Sequence, residues 1–286
     1  MPEIVIVDNG SGDGSAESIA KACPHVRVIA LQENRGFAAG MNVGIAETRG
    51  EYIFLLNSDI CADNSAIHDL LDFMTANPDT ALAAPLLFDD SGQTSRSLLI
   101  QPTVFRLFIP LLAKVRYNQW RKRLTDKPLD VEATEGAAIM VRRSALDRVG
   151  LMDERFFFYS EIVDWCMRFR KCGYSVQVLP TVRIKHIGSV STAGIRRSSR
   201  IELKRSEYQL IHKHLGLAVC ALAILRDVLA GSLKAGFYGL ACAVSLGKLP
   251  RGREKLGVYC AILRWLAAGM PNRRDKRYID MFGRWD

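Results

Sequence analysis

Ile4-Val5-Ile6-Val7-Asp8-Asn9-Gly10-Ser11-Gly12-Asp13-Gly14-Ser15 is the stretch on which the fold turns. Its first four residues are β-branched and do not alternate with polar ones, which is the pattern of a strand buried on both faces. The run stops at an acid and enters a cluster of Asn, Gly, Ser and Asp. That is turn chemistry, and Ser15 is placed to cap a helix. The same strand–turn–helix sentence then repeats. Val26–Leu31 reads as a strand, and Gly36–Thr48 as a helix stopped by Gly50. Tyr52–Leu56 is a third strand, Asn64–Ala76 a helix ended by Asn77-Pro78, and Ala81–Phe88 a fourth strand. Such alternation predicts an α/β protein with an open, mostly parallel sheet flanked by helices. Ligands of such sheets bind beyond the carboxyl ends of the strands. Asp8 and Asn57-Ser58-Asp59 both stand at strand ends, so both are expected to face one crevice.

Further along, residues 89–134 are long, polar and poorly periodic, and a connection of that length is uncommon unless it has a function. Ala137–Val141 reads as a strand, and Glu161–Cys172 as a helix ending at Gly173. Tyr174–Leu179 and Val182–His186 read as two short strands. At Arg196 the character changes. Arg196, Arg197, Arg200, Lys204, Arg205 and Lys213 decorate an amphipathic helix. Two apolar stretches follow, Leu215–Leu225 and Ala235–Leu246, with Arg226, Asp227 and Lys234 between them. Each is shorter than the ~18–20 residues that span a bilayer. Two readings stay open for this part: a helical subdomain packed on the body, or an interfacial or re-entrant membrane element. The organisation expected is residues 1–195 followed by an extension over 196–286.

The bulk numbers agree with a folded chain. Of 286 residues, 49% are hydrophobic and 24% charged, which excludes a disordered chain, a collagen and a long coiled coil. Net charge is +9, unevenly spread. Residues 181–286 hold 20 basic and 7 acidic residues, so +13; residues 1–180 hold 19 and 23, so −4. A basic appendage on a mildly acidic body points to an anionic surface, a membrane or a nucleic acid. No nucleic-acid module is present in the sequence, which favours the membrane. The seven cysteines are scattered, odd in number and without a CxxC, so they read as small buried hydrophobes in a reducing compartment. The chain opens directly into a strand, with no signal peptide in view.

Several residues have the chemistry of a site. Asp8, at the tip of a buried strand, suits a base N–H or a ribose hydroxyl. Asp59 is a hard oxygen ligand for Mg²⁺ or Mn²⁺ bridging diphosphate oxygens. His186 is a candidate second ligand, since imidazole suits Mn²⁺ better than Mg²⁺. In the helix from Glu161, the residues Ile162, Cys166 and Phe169 make a core stripe. Glu161, Asp164 and Arg168 fall on a neighbouring face. Either carboxylate can act as a general base on an acceptor hydroxyl, while Asp164–Arg168 also reads as an ordinary i,i+4 ion pair.

Order and spacing sharpen these signals. The segments are Val5–Ser11, Asn34–Gly44, Leu55–Asp59, Gly136–Arg143, Phe156–Arg168 and Lys185–Ser189. With them the chain resembles the inverting family-2 glycosyltransferases of GT-A fold, in particular the rhamnosyltransferase-like branch of surface-polysaccharide synthesis. The resemblance spans residues 3–190. It implies a GT-A-type sheet carrying a helical, membrane-associated C-terminal extension. It implies that Asp8 reads the donor's base and that Asn34 and Arg35 line the donor pocket. Asn57-Ser58-Asp59 resembles a DxD motif that keeps only its last acid, with Asp59 on a divalent cation. His186 matches a metal ligand of some relatives, and the Glu161 region matches the acidic pair that bears the base. The implied reaction moves a sugar from a dTDP- or UDP-linked donor to a lipid-linked glycan with inversion, and the branch resemblance suggests rhamnose as the sugar. The implied place is the cytoplasmic face of the plasma membrane.

Two departures stand out. Relatives carry two adjacent acids where this chain has Glu161-Ile162, so Glu161 or Asp164 must serve. Relatives also have a further strand and helix before the Val5–Asp8 strand, so the domain reads as shortened at its start. Both motivate an alternative, a catalytically degenerate membrane scaffold or regulator. A dehydrogenase is disfavoured because no GxGxxG follows a strand.

Overall fold

The computed structural model describes residues 2–94, 97–187, 196–245 and 249–282. The chain forms two compact units, Met1–Ser189 and Val190–Asp286. The first unit opens with β1 (Val5–Asp8), α1 (Ser15–Ala22), β2 (Arg27–Ala30) and α2 (Phe37–Ala46). Next come β3 (Tyr52–Leu56), β4 (Ile60–Cys61), α3 (Asn64–Ala76), β5 (Thr80–Phe88) and β6 (Leu98–Leu99). Then come α4 (Val104–Phe108), α5 (Pro110–Arg123), β7 (Leu129–Asp130), β8 (Ala133–Thr134) and β9 (Ala138–Arg142). The unit closes with α6 (Arg143–Val149), α7 (Glu161–Lys171) and β10 (Ser175–His186).

The central sheet runs β3-β9-β5-β10-β4, with β7 also on β10, while β1 and β2 pair in parallel as a separate ribbon. This corrects the expected mostly parallel sheet. β5 and β10 are parallel, but β9 lies antiparallel to both β3 and β5. The reason is the route of the chain. Between β5 and β9 it makes the 89–134 excursion beyond the carboxyl end of β5, and β9 therefore re-enters from that end and runs back. The excursion is not the structureless connection its polarity suggested, because it folds as β6, α4, α5, β7 and β8.

The apolar runs differ in burial: β1, expected to be buried on both faces, is only half-buried because it pairs with β2 alone, and β3 alternates between buried and part-exposed residues. β5 is buried along almost its whole length, and β9 throughout. α7 lays Trp165, Cys166 and Phe169 into a core shared with Leu82, Ile139, Val176 and Val178. Three further details differ from expectation. Gly14, not Ser15, takes the cap position of α1, and Ser15 instead donates to Asp13. The two short strands are one, β10, which carries an irregularity of register between Leu179 and Arg183. Pro180, with no N–H to give the ladder, lies inside that irregularity. Of the cysteines only Cys166 and Cys220 are buried, while Cys61 and Cys260 are exposed, so burial accounts for only some of them.

The second unit holds α8 (Arg196–Leu215), α9 (Leu217–Val244), α10 (Pro250–Ala267) and α11 (Lys276–Phe282). Here the two apolar stretches prove to be one 28-residue helix, α9. Asp227 does not interrupt it, because Lys204 donates to Asp227 at 2.7 Å and Tyr208 at 2.9 Å. Among the described residues, no helix is long and apolar enough to cross a membrane.

Candidate active site

The site is assembled at the carboxyl edge of β3, β5 and β10, where β9 begins. After β3 the chain turns through Asn57-Ser58-Asp59. Asn57 N–H donates to Ala137 O at 2.9 Å, and Ile60 N–H turns back to Asn57 O at 3.3 Å. β4 then pairs antiparallel with the end of β10, setting Ile60 opposite His186. This pairing brings Asp59 Oδ2 to 3.2 Å from His186 Nε2. Ile187 N–H donates to Asp59 O at 2.9 Å and fixes the main chain there.

Asp59 Oδ1 and Asn57 Oδ1 are buried and have no hydrogen-bond partner among the described residues. Buried polar oxygens are normally satisfied, so two orphans on one turn mark a place for something the fold does not supply. A divalent cation fits them: a carboxylate oxygen and an imidazole nitrogen are a donor pair that Mn²⁺ accepts. No cluster of three or more His, Cys, Asp or Glu able to hold a metal occurs among the described residues. Asp59 and His186 would therefore hold such an ion only together with ligand oxygens or water. Gly188 and Ser189, which completed the His186 segment, lie outside the described residues.

The first turn of α7 carries the other candidate carboxylates, Glu161 and Asp164. Glu161 is buried, its Oε2 has no partner among the described residues, and burial pushes its carboxyl up to about 7. Tyr159 and Ser160, just before it, both adopt positive φ, 71° and 65°. Two consecutive non-glycine residues in the left-handed region are a costly way to enter a helix. Ile162 points into the core. A Cβ on Gly136 would come within 2.6 Å of Ile162 Cγ1, so the bare glycine is what lets α7 approach β9. Gly136 thus touches the first turn of α7, and Ala137, the next residue, receives Asn57 N–H. The turn after β3 and the first turn of α7 thus both meet the Gly136-Ala137 dipeptide.

Asp164 is also buried, but differently. Its Oδ2 accepts from Arg168 Nε at 2.9 Å, and Arg168 goes on to Val149 O at 3.0 Å and Leu151 O at 2.7 Å. Asp164 is therefore committed to a clamp that holds the 149–151 turn.

The rest of the site lies around β1 and the start of α2. Asp8 is half-buried and its Oδ1 accepts from Ser11 N–H at 3.2 Å and from the Ser11 hydroxyl, so it shapes the turn after β1. Asn9 ties that turn to the next segment, donating to Gly36 O at 3.0 Å and accepting from Arg35 N–H at 3.0 Å. Asn34 Oδ1 accepts from Gly36 N–H at 3.0 Å. Gly36, at φ +92°, has Phe157 so close that a Cβ would lie 2.4 Å from its ring. Phe37 N–H then donates to Phe157 O at 2.8 Å. Arg35 reaches Glu154 at 3.5 Å, and Asn42 holds Met152 and Glu154 from inside α2. Asp8, Asn34 and Arg35 thus share one surface with the 152–157 segment that leads into Glu161.

Sequence reasoning missed Asn9, Asn42 and Glu154 as organisers of that surface. Their one legible signal was the polar Asn42 within an otherwise apolar helix.

A sheet with β9 reversed, Asp59 and His186 paired at its carboxyl edge and a buried carboxylate at the start of α7 make an α/β fold of GT-A type. The family model "Glycosyl transferase family 2" matches residues 2–150, and the chain belongs to that family and is a glycosyltransferase. It is 29% identical over 251 residues to an N-acetylglucosaminyl-diphospho-decaprenol L-rhamnosyltransferase of Mycobacterium tuberculosis, covering 80% of each chain. It is 26% identical over 202 residues to the dTDP-rhamnosyl transferase RfbF of Shigella flexneri, covering 67% of this chain and 63% of that one. Among solved structures, the mannosyltransferase PcManGT of Pyrobaculum calidifontis, in complex with GDP-Man and Mn²⁺, aligns with a TM-score of 0.52. The match has 17% identity and covers 96% of this chain and 78% of the other, a likeness of fold alone.

Proposed function

We propose that this glycosyltransferase moves a sugar from a nucleoside-diphosphate sugar to a lipid-linked glycan, inverting the anomeric centre. The donor is dTDP- or UDP-linked, and the relatives named above make a deoxysugar of rhamnose type the leading candidate. The reading is carried by the buried Glu161, whose Oε2 has no partner among the described residues, taken together with the orphaned Oδ1 atoms of Asn57 and Asp59.

Asp8, Asn34, Arg35, Asn57 and Ser58 bind and orient the donor along the turn after β1 and the turn after β3. Asp59 and His186 would hold a divalent cation, which when bound would supply positive charge for the diphosphate leaving group. Glu161 accepts the proton of the acceptor hydroxyl as that oxygen attacks the anomeric carbon from the face opposite the leaving group. Burial that lifts its carboxyl to about 7 matches its basicity to a neutral medium. Asp164 stays in its pair with Arg168 and orients the helix that presents Glu161.

The acceptor's lipid places the reaction at the cytoplasmic face of the plasma membrane. The basic C-terminal third supports this, as does the exposed apolar stripe of α9, which includes Leu229, Leu233, Phe237 and Leu240. The test is calorimetric titration with dTDP and UDP, with Mn²⁺ and then EDTA, beside Asp59→Ala. Metal-dependent binding that the variant loses is expected. Nucleotide binding by neither protein, with both folded, overturns the reading and leaves the degenerate scaffold.

A further inference from the structure

Residues 101–125 contain six cations, Arg106, Lys114, Arg116, Arg121, Lys122 and Arg123, and no acid. Two of the six are used internally: Arg106 and Arg116 both pair with Glu132. Lys114, Arg121, Lys122 and Arg123 are exposed. The same segment exposes Phe105, Phe108, Ile109, Leu111, Leu112 and Val115, with Phe105 at 72% and Leu111 at 65%. Soluble surfaces seldom gather so many large apolar side chains in one place without a use for them.

This is not a frayed loop. Leu107 and Trp120 are buried beneath it, and Arg116 stacks on the Trp120 ring at 4.7 Å. Gln101 is bound at both ends to Glu132, at 3.1 and 2.8 Å. The apolar and basic parts are separated along the chain rather than around the helix. With Arg106 and Arg116 paired to Glu132, α4 and the first half of α5 expose mainly apolar side chains with Lys114 among them, and the last turn of α5 is Arg121-Lys122-Arg123.

We propose that α4 and the start of α5 form a lipid-inserting tip, by which the catalytic unit itself docks on an anionic bilayer surface. Apolar side chains enter the acyl boundary while the cations stay at headgroup level, the arrangement of an interfacial anchor. Charge chooses this occupant. A second copy of the chain would bring the same cations against themselves across a two-fold contact, whereas anionic lipid attracts each of them. The tip is rigidly joined to the site, because Glu132, its anchor, lies on the strand approach that continues through β8 to Gly136. The inference deepens the membrane part of the proposed function and rests on it only for the acceptor's location.

The test is flotation of the full chain with vesicles of phosphatidylcholine, with and without phosphatidylglycerol. The altered residues are exposed, so melting temperatures are expected to stay near the parent's. Arg121→Gln/Lys122→Gln/Arg123→Gln is expected to lose roughly 100-fold in partitioning to the anionic vesicles. Phe105→Ser/Leu111→Ser is expected to lose about 10-fold or more on the same vesicles. Leu111→Trp is expected to be quenched by brominated lipid. Parent-like binding by the tip variant overturns the inference, as does loss of binding only in Leu229→Ser/Leu233→Ser of α9. A self-association that Phe105→Ser/Leu111→Ser dissolves, without vesicle binding, overturns it in favour of a second copy. Nucleotide titration of the same variants keeps the two proposals apart: a tip variant that binds nucleotide normally and vesicles poorly supports both.

Discussion

At the amino edge of β3 and β5, Arg142 is buried and all its nitrogens are used. It donates to Thr80 O at 3.1 Å, Tyr52 Oη at 2.9 Å, Asn77 O at 3.0 Å and Met74 O. Arg143 beside it closes on Gly50 O at 2.7 Å and Thr48 O at 2.8 Å. At the carboxyl edge of the same sheet, Asn57, Asp59 and Glu161 bury oxygens that accept from nothing among the described residues. One edge is a cap, in which a cation gathers the last carbonyls of α3 and the first of β5. The other keeps polar atoms out of water without satisfying them, a cost that folding alone does not explain. The difference separates residues that hold the sheet from residues that use it.

Glu161→Gln should give the largest effect and break the comparison most directly. The general base is expected to be worth 10²–10⁴-fold in kcat, roughly. The amide keeps the shape and removes a buried carboxylate whose Oε2 has no partner among the described residues, so the melting temperature should hold or rise. Asp164→Asn should do the reverse, lowering the melting temperature because Arg168 loses its buried partner. If Glu161→Gln turns over at the parent rate, Glu161 is not the base and the carboxyl edge must be reassigned.

Arg142→Ala probes the opposite edge. It leaves the carbonyls of Met74, Asn77 and Thr80 without their donor, at a cost of about 3 kcal/mol or more. A fall in melting temperature of about 6 °C or more should follow. Below that temperature kcat/KM should stay near the parent's. A variant that melts normally but fails in catalysis would erase the distinction between the edges.

Both edges were partly legible before any coordinates. The strands through Phe88 were readable because four short apolar runs separated by turn residues admit little else. Asp59 and His186 were readable as a donor pair from their chemistry, and β4 on β10 is what brings them together. The reversal of β9 was not readable, since strand periodicity carries no direction. The helices α4 and α5 were missed because their apolar residues face outward and give no amphipathic period. α9 looked like two pieces because Asp227 reads as a break until Lys204 and Tyr208 are seen to satisfy it. Glu161 and Asp164 looked equivalent in sequence, and only their partners separate them.

The pH dependence sharpens the contrast further. With the Glu161 carboxyl near 7, kcat/KM should rise with pH through about 7 as the base ionises, and Glu161→Gln should flatten that limb. Stability should run the other way. The folded carboxyl keeps its proton above the ordinary value of 4.5, so between about 4.5 and 7 the folded state binds more protons than the unfolded. Its contribution is full below that window and is lost as pH rises through about 7. Urea titrations of parent and Glu161→Gln across the window check the sign. A parent that gains stability relative to the variant as pH rises would overturn the assignment.

The smallest effect tests a residue that belongs to both kinds of region. Asn42 is buried in α2, donates to Met152 O at 2.9 Å and Glu154 Oε1 at 3.0 Å, and accepts from Met152 N–H at 3.1 Å. Like Arg142, it satisfies main chain; like Asn57, it stands behind the site, because Glu154 also meets Arg35. Asn42→Ala removes three hydrogen bonds and orphans Met152, a loss of about 1–3 kcal/mol. If its work is only structural, kcat and KM measured well below the melting temperature should match the parent's. If it also positions Glu154 and through it Arg35, KM for the donor should rise several-fold while kcat holds, since Glu161 is untouched. We expect the second result, because the loop that Asn42 anchors is the one whose Phe157 O receives Phe37 N–H and whose end enters α7. An unchanged KM would place Asn42 with Arg142, among the residues that only hold the sheet and its helices together.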